Sequence, residues 1–206
     1  MNIALVYFNE NAPAKAKLLA ALPQAAFAFY DKEKQKAADF VREQFQACDA
    51  LVFIGAAAIA VRLIAPHLQN KAVDPPVIVL DELGNFVIPL LSGHLGGANA
   101  LAGEIAAKMG AIPIITTATD VHGKFAVDVW AKKAGCVICD ISKIKFISTA
   151  ILAEKPVGFY CEFPVPGDLP AGLTEASGQE RGICVSLNAE KQPFNMTLHA
   201  VPKILT

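Results

Sequence analysis

Charge is scarce in this sequence. Lys, Arg, Asp and Glu make up 18% of its 206 residues, against about a quarter in a typical soluble domain. The 18 basic and 19 acidic residues leave a formal net charge of -1. Without a basic excess there is little to hold a phosphate backbone or an anionic bilayer, so neither nucleic acid nor membrane is an expected partner. Long apolar runs are missing too. The longest, Leu51 to Val61, is cut off by Arg62 and falls well short of the about 18 residues that a spanning helix needs. The start, Met1-Asn2-Ile3-Ala4-Leu5-Val6, lacks the basic region and small-residue cleavage site of a signal peptide. It reads as a first strand, which implies a cytoplasmic protein. Cysteines are few, odd in number and scattered at 48, 136, 139, 161 and 184, which suits reduced thiols better than a disulfide framework. There is no internal repeat and no low-complexity tract.

What is abundant is apolar side chain, at 54%, enough to exclude disorder and to fill a substantial core in one large domain or two small ones. Short apolar runs alternate with helical patterns. Ile3 to Phe8 reads as a strand, Lys15 to Leu22 as a helix opened by Pro13, and Ala26 to Tyr30 as a strand. Ala37, Phe40, Val41 and Phe45 fall at helical spacing within Asp31 to Gln46. Leu51 to Ile54 is a continuous apolar strand, with an Ala-rich helix over Ala56 to Pro66. Val77 to Leu80 and Phe86 to Leu91 are strands joined by an acidic, Gly/Asn-containing turn, Asp81 to Asn85. A helix over Ala100 to Met109, stopped by Gly110, leads to a strand over Ile112 to Ile115. The expected fold is α/β: an open, mostly parallel, doubly wound sheet over residues 1–120, then a smaller α/β domain over 121–206. In that second part helices are expected over Ala126 to Ala134 and Ser142 to Ala153. Strands are expected at Val157 to Tyr160, Ile183 to Leu187 and Thr197 to Val201, around a Pro/Gly-rich stretch from Pro164 to Gly182. The end at Pro202-Lys203-Ile204-Leu205-Thr206 has no closing helix or polar tail, and suggests a truncated chain or an absent partner.

In an open parallel sheet, ligands bind beyond the carboxyl ends of the strands. Three loops follow strands here: Gly55-Ala56-Ala57-Ala58, Ser92 to Asn99, and Thr116 to Asp120. They are expected to border one cleft. Between residues 55 and 120 there are three Lys/Arg and five Asp/Glu, so the polar groups in these loops stand out. The sharpest signal is Ser92-Gly93-His94-Leu95-Gly96-Gly97-Ala98-Asn99. Its glycines allow close backbone approach, and the N–H groups opening the following helix suit an anion or a developing oxyanion. The loop is neither G-x-G-x-x-G nor a P-loop, and a plain tight turn would also use those glycines. His94 is either a general base or acid, or a side chain that only bonds its own loop. Thr116, Thr117, Thr119 and Asp120 are caps and turn residues or ligand contacts. Cys136-Val137-Ile138-Cys139 reads as a strand with its thiols on opposite faces, and no second pair completes a zinc site. His67, His122 and His199 are isolated, and no metal role is assigned to them or to any other residue.

Four motifs taken together resemble the CbiG family of cobalamin-biosynthesis proteins, the cobalt-precorrin-5A hydrolases. They are Gly55-Ala56-x-Ala58-Ile59-Ala60-Val61-Arg62-Leu63-Ile64-Ala65-Pro66, Lys71-x-x-Asp74-Pro75-Pro76-Val77, Leu91 to Asn99, and Ile115-Thr116-Thr117-Ala118-Thr119-Asp120, with Phe125-Ala126-Val127-Asp128 continuing the last. They occur in family order over about residues 50 to 130, and the residues from about 140 on resemble the family's variable middle region. The resemblance implies a hydrolase of the anaerobic route to vitamin B12. Its reaction would open the ring-A δ-lactone of cobalt-precorrin-5A and release a two-carbon unit as acetaldehyde. It also implies a cobalt-corrinoid substrate that brings its own metal, no separate cofactor, and a C-terminal domain after a segment similar to Val201-Pro202-Lys203-Ile204-Leu205. A second copy of the chain or that domain is the expected protein partner. His122 stands where the resemblance implies a less ionisable residue such as Asn, and it is given no role.

The implied site has His94 activating water, N–H groups near Gly96 and Gly97 holding the oxyanion, and Asp120 as reserve base. Gly55, Ala56, Arg62, Ser92, Gly93, Asn99, Thr116, Thr117 and Thr119 would contact the substrate. Two other classes remain open. One is a non-catalytic module that holds a tetrapyrrole or nucleotide while another domain does the chemistry. The other, a sugar-phosphate or nucleotide enzyme of similar architecture, ranks lower because its phosphate fingerprints are absent.

Overall fold

Continuous apolar strands need cover on both faces, and the first sheet has it. The computed structural model describes residues 1–164, 168–175, 179–188 and 190–203; Ile204, Leu205 and Thr206, and part of the Pro/Gly-rich stretch, lie outside them. The chain divides into two compact units, Met1–Ile115 and Thr116–Thr206. In the first, β1 (Asn2–Tyr7), β2 (Ala26–Phe29), β3 (Ala50–Ile54), β4 (Val77–Leu80), β5 (Phe86–Leu91) and β6 (Ile112–Pro113) form one sheet in the order β2-β1-β3-β4-β5-β6. Successive residues of a strand point to opposite faces. Ile3 and Leu5 therefore join a core with Leu18 of α1 (Pro13–Ala21), while Ala4 and Val6 join a second core with Phe40 and Val41 of α2 (Ala37–Gln44) and Ile64 of α3 (Ala57–Ile64). Ile105 of α4 (Ala98–Met109) packs in the first core. Helices on both faces of a mainly parallel sheet make this unit doubly wound.

One pairing sets the geometry of everything that follows. β1, β2, β3 and β4 run parallel, but β5 runs antiparallel to β4, with Val77 opposite Leu91 and Leu80 opposite Val87. β5 therefore ends where β3 and β4 begin. β6 is parallel to β5 and shorter than the expected 112–115 strand; it lies at the sheet edge, where a proline that cannot donate to the ladder is tolerated. α2 is also shorter than its periodicity suggests. The Asp31 carboxylate accepts from the Glu33 N–H at 3.0 Å and its carbonyl accepts from Lys34 and Gln35, so a side-chain-stabilised turn takes the segment before Ala37.

The second unit starts with α5 (Ala118–Val121), a turn of helix where the sequence suggests a loop, followed by α6 (Val127–Lys133), β7 (Cys136–Ile138) and α7 (Ile144–Leu152). It continues with β8 (Val157–Cys161), β9 (Leu173–Glu175), β10 (Arg181–Val185) and β11 (Met196–Pro202). Its sheet has the order β7-β11-β10-β8-β9 and is parallel except for β7. β9 is too short to stand out from the Pro/Gly-rich sequence around it. Because α5 packs on α7, Thr116 to Asp120 belong with this unit and not with residues 1–115. Among the described residues no helix is long and apolar enough to cross a membrane.

Candidate functional site

The loop from β5 to α4 is held in a sterically demanding shape. Ser92 sits at φ 58°, a left-handed conformation that costs a non-glycine residue about 1–2 kcal/mol. Gly97 opens α4 at φ 94°. A Cβ at Gly96 would lie 2.4 Å from Ser92 Cβ and 2.8 Å from Ser92 O, so only glycine lets the chain fold back on Ser92. That fold-back is bonded: Ala98 N–H donates to Ser92 O at 3.1 Å and Asn99 N–H to Gly93 O at 3.0 Å. The glycines thus do the packing work of a tight turn, and two of the N–H groups opening α4 are spent inside the loop. His94 is half-buried on this turn, and Asn99 is buried beneath it.

Backbone strain persists where neighbours enforce it, and here the neighbour is Asp74. The Ser92 hydroxyl donates to the Asp74 carbonyl at 2.8 Å. The Asp74 side chain, 6% exposed, accepts from Gln69 N–H at 3.0 and 3.2 Å. Arg62 is exposed in the last turn of α3. Asp74 was visible in the sequence as part of Lys71-x-x-Asp74-Pro75-Pro76, but nothing there indicated that it would anchor Ser92. Ser92→Ala removes the bond and leaves a buried carbonyl without its donor, at an expected cost of about 1–3 kcal/mol. Ser92→Gly loses the same bond but relieves the positive φ. In urea unfolding, Ser92→Gly should therefore retain more stability than Ser92→Ala, and the reverse order would show that the strain is not stored there.

Gly55 and Ala56 do not share this edge. β3 ends at Ile54 beside Leu80 of β4, whereas Ser92 follows Leu91 beside Val77 at the other end of that strand. The expectation that residues 55–58 and 92–99 border one cleft is overturned by the antiparallel β4–β5 pair. The Gly55 edge carries a different feature, a cleft of about 540 Å³ lined by Tyr7, Glu10, Lys15, Phe29, Tyr30, Asp31 and Lys34. Its cations are already matched: Lys15 lies 2.7 Å from Glu10 and Lys34 3.1 Å from Asp31. The Glu10 bond, followed by one to Tyr7, holds the Lys15 ammonium above its ordinary range. Aromatic walls with self-neutralised ion pairs suit an apolar ligand face more than a free anion.

The remaining candidates lie in the second unit. Thr117 stands at the N-cap position of α5 without capping it through its side chain. Thr119 is buried, and Thr116 and Asp120 are exposed. Asp120 lies inside α5 rather than capping a following helix, and its carbonyl accepts from His122 and Gly123. This unit also has a cleft of about 440 Å³ that includes Lys124, Phe125, Glu154, Gly172 and Thr174, with Lys124 and Glu154 paired at 2.7 Å. Phe125 had entered as the start of a motif, but nothing in the sequence marked a cleft there. Among the described residues no group of three or more His, Cys, Asp or Glu side chains could hold a metal ion.

Comparison with known proteins places this architecture. Residues 39–120 match the family described as cobalamin synthesis G N-terminal, and residues 125–202 the cobalamin biosynthesis central region. The chain is 39% identical over 190 residues to a cobalt-precorrin-5A hydrolase of Salmonella typhimurium, covering 86% of this chain and 51% of that one. It is 36% identical over 135 residues to a cobalt-precorrin-5A hydrolase of Priestia megaterium, covering 61% and 36%. The fold resembles the crystal structure of a cobalamin biosynthesis protein G homolog from Sulfolobus solfataricus, with a TM-score of 0.59 at 23% identity, over 98% of this chain and 60% of that one. The chain spans about half the length, or less, of the curated relatives it matches. Two successive regions of one family, matched in order over most of the sequence, show that the chain belongs to the CbiG family of cobalamin-biosynthesis proteins.

Proposed function

We propose that this chain acts in the anaerobic route to cobalamin, in the cytoplasm, as a hydrolase of the ring-A δ-lactone of cobalt-precorrin-5A. The observation that carries this reading is the 39% identity, over 86% of the chain, to a relative named for that activity. The substrate is a cobalt-corrinoid whose metal arrives with it, and the hydrolytic step needs a base, water and oxyanion donors. His94, half-buried on the strained turn, takes a proton from water, and the water oxygen attacks the lactone carbonyl. N–H groups near Gly96 and Gly97 steady the tetrahedral oxyanion. Collapse expels the ring oxygen, which takes the proton back from His94, giving a carboxylate and a hydroxyl-bearing two-carbon unit. That hydroxyl then loses its proton as its C=O forms, the carbon–carbon bond to the macrocycle breaks, and the macrocycle keeps the bonding pair and takes up a proton as acetaldehyde leaves. Ser92, Gly93 and Asn99 are substrate-side residues of the same edge, and Arg62 of α3 is a further contact. Thr116, Thr117, Thr119 and Asp120 lie in the second unit; the family resemblance, not their placement, keeps them as substrate contacts, with Asp120 the reserve base. Gly55 and Ala56 are removed from this set by the sheet topology.

The share of the relatives' length that the chain spans, about half, favours a second reading, in which this part binds the corrinoid and a further domain completes turnover. One experiment separates the two. Cobalt-precorrin-5A is incubated with this chain alone and with the chain extended at its C-terminus by the remaining part of a full-length relative, and acetaldehyde is assayed. Release by both forms supports the hydrolase reading for this chain, and release by the extended form alone supports the binding reading. Release by neither contradicts the proposed function.

A further inference from the structure

The second sheet places three functional side chains side by side on neighbouring strands, apart from any residue assigned above. Cys139 follows β7, His199 lies in β11, and Ser186 follows β10, in the sheet order β7-β11-β10. Cys139 Sγ is 3.8 Å from His199 Nδ1, and His199 Nε2 is 3.0 Å from Ser186 Oγ. The Ser186 hydroxyl also lies 2.8 Å from the Asn188 carbonyl. A carbonyl can only accept, so the single hydroxyl proton goes to Asn188. The Ser186 oxygen must then accept from His199, which puts a proton on Nε2. Nδ1 is left either as a lone pair facing the Cys139 S–H or as an N–H facing its thiolate. In both states the imidazole serves the sulfur. His199 is 5% exposed and Ser186 0%, so the base is fixed in a packed sheet, while Cys139 is exposed to solvent.

From this arrangement we infer that Cys139 is a primed nucleophilic thiol, a site of thiol–disulfide exchange with low-molecular-weight disulfides. The Cys139 proton passes to His199 Nδ1 and the thiolate attacks one sulfur of R–S–S–R. A new S–S bond joins Cys139 to one R–S group while the old S–S bond breaks. The departing R–S⁻ takes the proton from His199. The disulfide is the two-electron oxidant: Cys139 is oxidised and half of the reagent is reduced, with no other co-reactant. The orientation of nucleophile, base and a third group that sets the base's tautomer is the general arrangement for activating a thiol. Burial is the main cause that pushes Cys48, Cys136 and Cys184 above the ordinary thiol range, and Cys136 only reaches back to the Ala134 carbonyl at 3.7 Å. The two cysteines of the C-x-x-C are therefore chemically distinct.

The test treats the intact chain with oxidised glutathione near neutral pH and follows adducts peptide by peptide by mass spectrometry. The first adduct is expected on Cys139, forming about tenfold or more faster than on any other cysteine or on Cys139 in the urea-unfolded chain. His199→Gln should slow it about tenfold while the thermal transition stays in place. Ser186→Ala, which frees the imidazole to take its other tautomer, should also slow the reaction. A first adduct on another cysteine, or native Cys139 reacting no faster than in urea, overturns the inference. That comparison requires no variant to fold. An unchanged rate in folded His199→Gln overturns it as well.

Discussion

His94→Gln, in a form of the chain that turns over cobalt-precorrin-5A, should lower kcat by about 10²- to 10⁴-fold, the usual range for loss of a general base. Gln keeps the size and hydrogen-bonding capacity of the side chain but takes no proton at neutral pH. A role limited to binding would instead appear mainly as a higher KM with kcat retained. His94→Ala should fall at least as far. The shape of the turn is fixed by Gly96 against Ser92, by the Ser92–Asp74 bond and by Ala98 and Asn99 bonding back to the loop, and an unchanged thermal transition in the variant separates a loss of chemistry from a loss of folding. Near-normal kcat in His94→Gln would remove His94 as base and make Asp120→Asn the next variant to measure.

The largest effect on stability is expected at Phe194. Its ring, 5% exposed, lies over two glycines on adjacent strands. A Cβ at Gly158 would sit 2.3 Å from the ring, and one at Gly182 2.4 Å. Thr197 fixes the backbone beneath it, donating from its hydroxyl to the Phe194 carbonyl at 2.9 Å and accepting from the Phe194 N–H at 3.2 Å. Phe194→Ala empties this trough and should cost about 3–5 kcal/mol, read as a loss of denaturant resistance. Gly182→Ala overfills it, at about 1–3 kcal/mol. The two changes share one space, so the double variant should be more stable than the sum of the single losses predicts. Strict additivity would mean that the ring and the strand do not share that space.

Much of the fold could be read from periodicity. The continuous apolar runs at Leu51–Ile54 and Val77–Leu80 are the buried central strands, and the Ala-rich segment after Gly55 is α3. The acidic Asp81–Asn85 turn was legible as a connection between strands. Its consequence was just as local and went unread: a link this short cannot make a parallel crossover, so β5 has to return antiparallel, and its end falls at the opposite edge from the end of β3. The site was legible to the same degree. The Gly-rich turn with His94 stands out as a motif, while Asp74 entered only as part of another motif, because its contact with Ser92 spans separate strands. The Cys139–His199–Ser186 row was illegible for the same reason, as its members come together only through the order of the second sheet.

Whether the corrinoid is worked on at the edge where β5 ends can be read from amide hydrogen–deuterium exchange with and without cobalt-precorrin-5A. Substrate should slow exchange over residues 93–101, the turn bearing His94 and the start of α4, and leave residues 8–12 and 55–60 at the opposite edge unchanged. Protection confined to 8–12 and 55–60, with the His94 turn exchanging as before, would contradict that placement.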